Sequence, residues 1–442
     1  MQIRDIRGLT LTGATQEALP HYEQAVAELL CYRADPVASV DRAMAAAPGF
    51  AMAHALRAWL HLLGTEPAGL PVARESHALA ARWAASERER GHVAAIGHVL
   101  DGHWQRAGRV LEDVSIAEPR DLLALLAGHL IDFYTGHSRM LRDRIARALP
   151  AWNESVPGYH ALLGMHAFGL EETADYLRAE TAGRRAVELE RHDAWAWHAV
   201  AHVMEMQNRT RDGIAWLRSD SAAWAEDCFF KVHNWWHLAL FHYDRCEFDT
   251  VLAMFDREVF GERSPMALDL IDASALLWRL QLQRVPLGSR WDAVAENWAP
   301  FAAAGNYAFN DAHAAMAFAG AGRGDLVEAL LAAQQATMAR TDDNAAFTRE
   351  VGHPLCRAVL AFVDGDYRRA AGLLRDLRPI AQRFGGSHAQ RDIIDLTSLE
   401  AAQRGGEVAL AEALAAERSD LRPASPLARL LVERSEAQPL AA

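Results

Sequence analysis

The strongest constraint on this chain is that it repeats itself. The stretch His92–Pro119, HVAAIGHVLDGHWQRAGRVLEDVSIAEP, carries Gly102, then Trp104, Ala107 and a closing Pro119. Two helices joined by a turn at Gly102 fit this order, with small residues letting them approach closely. Gly136 follows 34 residues after Gly102. Tyr176 with Ala179, Trp197 with Gly213, and Trp235, Leu238, Ala239, Phe248 and Val251 mark further units. Late copies are Gly324–Ala329 (GDLVEA) and Val359–Leu373, which contains GDYRRA at Gly365–Ala370; Gly405–Ala411 is a weaker one. Each hairpin leaves an apolar stripe uncovered, and stacking the next hairpin buries it.

The turn–aromatic–Ala–Pro order is that of a tetratricopeptide hairpin. Ala and Leu dominate the composition, and alternating Val/Ile/Thr runs are nearly absent. The predicted class is therefore all-α, a right-handed α-α superhelix of tetratricopeptide-like hairpins, with the first helix of each lining a concave side. The period breaks in residues 1–85, expected to be an irregular helical cap, and in 261–305. The latter contains Pro265, Pro286, Pro300, Trp291 and Trp298 and predicts a longer helix plus a loop. It would join repeats in 86–260 to a final array and cap in 306–442, all as one continuous body.

The 442 residues are 51% hydrophobic, enough for a sizeable core. With 45 basic and 58 acidic residues the net charge is -13. Such an acidic surface disfavours nucleic acid and anionic membranes as partners. The cysteines Cys31, Cys228, Cys246 and Cys356 form no C-x-x-C pair. The first residues show no apolar leader core, and no apolar run reaches the ~18 residues of a membrane span. The expected compartment is the cytoplasm. Lys231 is the single lysine, so a Schiff-base mechanism would have to use it. No nucleophile elbow, P-loop or dinucleotide fingerprint is present, which argues against serine hydrolases and nucleotide-dependent enzymes.

Histidines give the chemistry. His198 and His202 stand four residues apart in DAWAWHAVAHVMEM, with Glu205 one turn further, and His233 and His237 repeat the spacing in HNWWHLAL. Taking Trp197 and Trp235 as the fourth positions of their repeats places His198, His202, Glu205, His233 and Trp236 on the concave groove. The same register sends His237 and His242 toward the core. Residues at i and i+4 share a helix face, so His198 and His202 can converge on one divalent ion such as zinc. Glu205 or His233 would complete three ligands. Asn310, Asp311 and His313 in FNDAHA, and Asp269 and Asp272 in LDLIDAS, are further candidate donors. Glu205, His233 and Asp311 are the candidates for acid–base catalysis. Alternatively, the same imidazoles with Glu205 hydrogen-bond a small polar molecule or peptide on which Trp236 stacks. Arg391 in GGSHAQRD could reach an anionic ligand. Arg88 and Glu89, in SERERGH, read as a solvated helix N-terminus, and Asp121 as a helix cap.

Several segments resemble the tetratricopeptide repeat protein 38 family: DAWAWHAVAHVMEM, HNWWHLAL, FNDAHAAMA, GGSHAQRD, SPLARLL, DLLALLAGHLIDFYTGH and RWDAV. The resemblance runs from about residue 14 to about residue 435 and implies the helical-repeat fold. It implies no reaction and no residue roles. Two functions stay open. One is a cytoplasmic solenoid that binds a small polar ligand, peptide or protein in its groove. The other is a metal-dependent hydrolase or lyase using the same His/Glu/Asp cluster.

Overall fold

A computed structural model of the protein describes residues 3–437. Among these residues it is helical, with no strand beyond the isolated bridges Arg4–Thr10 and Arg33–Cys228. No helix among them is long and apolar enough to cross a membrane.

The contacts divide the chain into two units. Unit 1 holds Met1–Val203 and Asp220–Lys231; unit 2 holds Met204–Ser219 and Val232–Ala442. In unit 1 the helices are α1 (Ala18–Cys31), α2 (Pro36–Ala46), α3 (Ala51–Leu63), α4 (Leu70–Trp83), α5 (Glu87–Leu100) and α6 (Trp104–Ala117). They continue with α7 (Leu122–Tyr134), α8 (Ser138–Ala148), α9 (Tyr159–Glu171), α10 (Tyr176–Leu189) and α11 (Ala194–Met206), within which the division falls. Next come α12 (Thr210–Ser219) of unit 2 and α13 (Ser221–Ala225) of unit 1. Unit 2 goes on through α14 (Lys231–Asp244), whose first residue belongs to unit 1, α15 (Phe248–Met254), α16 (Ala267–Leu282), α17 (Arg290–Trp298), α18 (Ala308–Gly320) and α19 (Gly324–Met338). It ends with α20 (Asp343–Phe347), α21 (His353–Val363), α22 (Tyr367–Leu377), α23 (His388–Arg404), α24 (Val408–Leu421) and α25 (Pro426–Glu436).

Helices adjacent in sequence pack as pairs, for example α1 on α2, α5 on α6, α9 on α10 and α21 on α22. The two helices of a pair differ in character. In α9 every residue from Ala161 to Glu171 is buried, as expected of a helix apolar on all sides. Its partner α10 buries only Ala179, Gly183 and Ala186, and its outer face carries ion pairs such as Arg184–Glu180 at 2.7 Å. Glycines permit the close contacts. A Cβ at Gly183 would lie 2.6 Å from Val200, and one at Gly213 would lie 2.2 Å from Phe241.

The turns reveal a period that the glycine pattern shows only in part. Most turns between paired helices place a residue in the left-handed region: Tyr32 and Ala34, Thr65, Gly102, Gly136, Ala174, Asn208, Cys246, Arg284, Gly322, Gly365 and Gly406. The weaker late turns therefore pivot on Gly322 and Gly406 rather than on Gly324 and Gly405. Arg284, at φ 60°, joins α16 to α17. The segment 261–305, expected to be an irregular connection, thus contains a hairpin of its own. A side chain in this conformation costs roughly 1–2 kcal/mol, partly offset in glycine by its greater backbone freedom when unfolded. Ala174→Gly and Arg284→Gly should each stabilise the protein by about 0.5–1 kcal/mol in denaturant titrations, whereas Gly365→Ala should destabilise it.

One expectation fails outright. Arg88 and Glu89 are buried rather than solvated. Ser86 and Glu89 form a capping box for α5, and Arg88 donates to Asp121 at 3.0 Å. Asp121 also caps α7 through the amide of Ala124, as the sequence suggests.

Candidate functional site

Unit 1 assembles one group of metal-compatible side chains around α9 and α11. Asp193 accepts from the amide of Ala196 and starts α11, which then carries His198 and His202 one turn apart. Their ring centroids lie 4.4 Å apart. Phe168 of α9 packs against both, stacked on His198 at 5.5 Å and edge-on to His202 at 5.2 Å. Three residues after Phe168, α9 ends in Glu171. Its Oε2 lies 3.5 Å from His202 Nδ1, with both side chains fully enclosed. Glu172 follows and accepts from the Ser138 hydroxyl at 3.3 Å. Glu171, Glu172 and His202 each offer a donor atom within 4.8 Å of the others, and all three are buried.

Unit 2 holds a second histidine group built from buried pairs. His237 Nδ1 lies 2.9 Å from Glu205 Oε2, and His233 Nδ1 lies 2.8 Å from Asp272 Oδ2. The two rings are 4.9 Å apart. Trp236 stacks on His233 at 5.3 Å, and Arg279 lies over its ring, also at 5.3 Å. Burial pushes His237 well below the usual histidine range, helped by the charges of His233 and Arg279. Burial pushes Asp272 up, with His233 opposing it.

These placements sort the sequence candidates. His198 and His202 share a face, as their spacing requires. Glu205, His233 and His237 belong to unit 2. Glu205 closes on His237, a residue the register assigned to plain packing; His233 and His237 lie one turn apart and face the same way. Asp272 meets His233, whereas Trp236 is covered by His233 and Arg279 rather than presented as an open stacking platform. The residues expected on an open groove, His198, His202, Glu205, His233 and Trp236, are all buried. Asp311 accepts from Gln334 at 3.5 Å, and burial raises its carboxyl to about 7. His313 Nδ1–H donates to the Phe309 carbonyl at 2.8 Å, and burial lowers its ring to about 4. Arg391 folds back onto the Gly386 carbonyl and the ring of His388.

Glu171 and Glu172 were not visible as site residues. The available signal is GMHAFGLEE, an apolar stretch that ends abruptly in two carboxylates. No known protein-family model matches the chain.

Proposed function

We propose that this protein is a tetratricopeptide-like helical-repeat protein, with right-handed hairpin stacking, that holds a divalent metal ion on Glu171, Glu172 and His202. The supporting observation is the spacing of two of the donors, with all three atoms within 4.8 Å of one another. A tetrahedral ion with bonds of about 2.0–2.2 Å sets its ligands about 3.3–3.6 Å apart. The 3.5 Å between His202 Nδ1 and Glu171 Oε2 falls in that range and is long for a direct hydrogen bond. One imidazole with two carboxylates suits zinc or manganese.

Three protein donors leave a coordination position open, the pattern of catalytic rather than closed structural sites. A small polar molecule fits that position. An extended peptide suits it less, because it needs exposed atoms to contact. Activation of a bound water for hydrolysis or elimination is the second reading, favoured by the same open position.

Elemental analysis of the gently purified protein, followed by zinc and manganese titration of metal-stripped protein, tests the proposal. One ion per chain is expected. Losing an outer-shell partner alone costs about 10–100-fold in metal affinity, so Glu171→Gln and His202→Ala should each weaken binding more than about a hundredfold. His242→Ala should not change it, since that residue pairs with Glu247 in unit 2. A wild-type chain that takes up neither ion stoichiometrically overturns the proposal.

A further inference from the structure

Five rings pack around Trp195 in unit 1. Tyr32 is stacked at 5.8 Å and 13°, His198 lies at 4.8 Å, Phe168 at 5.1 Å, Phe230 at 5.5 Å and His129 edge-on at 5.9 Å. Two donors stand out in this aromatic setting, beside the imidazoles of His129 and His198. The indole Nε1 of Trp195 and the phenol oxygen of Tyr32 are both buried, and neither meets a hydrogen-bond partner in the protein. Other indoles of the same unit do find acceptors. Trp59 donates to His92, Trp152 to the Pro119 carbonyl and Trp197 to the Arg191 carbonyl. A buried donor left unmade costs roughly 1–3 kcal/mol, so two on stacked rings are a standing cost to the fold.

The backbone adds to that cost. Tyr32 has φ 56°, a left-handed conformation that disfavours a bulky residue by about 1–2 kcal/mol. It is the C-cap of α1, with the Tyr32 amide on the Leu29 carbonyl at 3.1 Å and the Arg33 amide on the Glu28 carbonyl at 2.9 Å, and the Phe229 amide donates to the Tyr32 carbonyl at 2.9 Å. The same left-handed conformation recurs at the other hairpin turns; here it ends α1 and leads into α2.

An indole N–H can only donate, and a phenol can donate too, so the complement is an acceptor. The titratable groups that bear on Tyr32 are Tyr134, Asp193 and Cys228, none of them a cation. An anionic acceptor therefore gains nothing from its surroundings, and a neutral one suits them. An apolar lining with a few placed polar groups is the usual composition of a small-molecule site.

We propose that Tyr32 and Trp195 bind a largely apolar molecule through a neutral carbonyl oxygen, with the phenol and the indole as donors. The site uses residues other than the metal donors and does not depend on the ion. His198 links the two, its ring touching both Trp195 and His202.

A matched pair of probes isolates the carbonyl: 1-acetonaphthone and 1-ethylnaphthalene, titrated by ligand-observed NMR. The wild-type chain should bind the ketone more than about tenfold tighter than the hydrocarbon. Tyr32→Phe keeps its ring and removes one donor; Trp195→Phe removes the other donor together with one ring of the indole. Each should cut that preference about five- to tenfold, and Tyr32→Phe should leave hydrocarbon binding unchanged. His202→Ala should keep the preference, which separates this site from the ion. Equal affinity for the two probes, no saturable binding of either, or a preference intact in both donor variants overturns the proposal.

Discussion

Asp121→Ala should cost about 3–5 kcal/mol of stability, the usual consequence of removing one partner from a buried ion pair. The carboxylate is the hub of a closed network in unit 1. It accepts from Arg88 at 3.0 Å and from His92 at 2.9 Å, and it caps α7 through Ala124 at 3.1 Å. The indole of Trp59 donates to His92 Nδ1 at 3.1 Å, so His92 bridges Trp59 and Asp121. Alanine would orphan a guanidinium, an imidazole and a helix cap together. Burial by itself raises the Asp121 carboxyl, but His92, Arg88 and the Ala124 amide outweigh it and hold the group well below the usual range. A group with a depressed folded-state value stabilises the fold above its unfolded value, here about pH 4. That contribution is lost as the pH falls further. Urea titrations at pH 7 should show the deficit. Between about pH 5 and 2 the wild type should lose stability more steeply than Asp121→Asn.

Gly169→Ala should destabilise by about 1–3 kcal/mol or more and should also weaken metal binding. A Cβ there would sit 2.4 Å from the Arg142 amide nitrogen and from the Leu141 carbonyl carbon. Both are backbone atoms of α8, so no side-chain rotation relieves the clash and α9 must move. Gly169 precedes Glu171 by two residues, so that movement displaces two of the three proposed donors. Unfolding by circular dichroism together with a zinc titration reads both effects. Full metal affinity in a chain that has lost stability would show that the donors do not depend on where α9 sits.

Much of the repeat was legible because its signals are local. Gly102, Gly136 and Gly365 announce turns, and Trp104 and Ala107 mark the helix that follows. Ala174, Cys246 and Arg284 make the same turn without announcing it, because they adopt a conformation that their side chains disfavour, and Asn208 does so with a residue that tolerates it. The site divides in the same way. His198 and His202 follow from helical spacing, and the pairing of His233 with Asp272 matches a carboxylate picked out by pattern. Glu171 could not be found from local spacing, since it lies 31 residues before His202 and meets it only through the packing of hairpins. Arg88 looked solvated for a related reason: its partner Asp121 is 33 residues away.

The enclosure of α9 bears on how an ion would be received. A helix buried from Ala161 to Glu171 has little freedom left to lose, so the carboxylate on its last turn is in place before any ligand arrives. Capture then requires almost no ordering of chain, and the free energy of coordination goes into affinity. The same rigidity makes departure slow, because an ion can leave only when a well-packed segment opens. An ion held this way would behave as a resident part of the protein rather than as one in rapid exchange with solution.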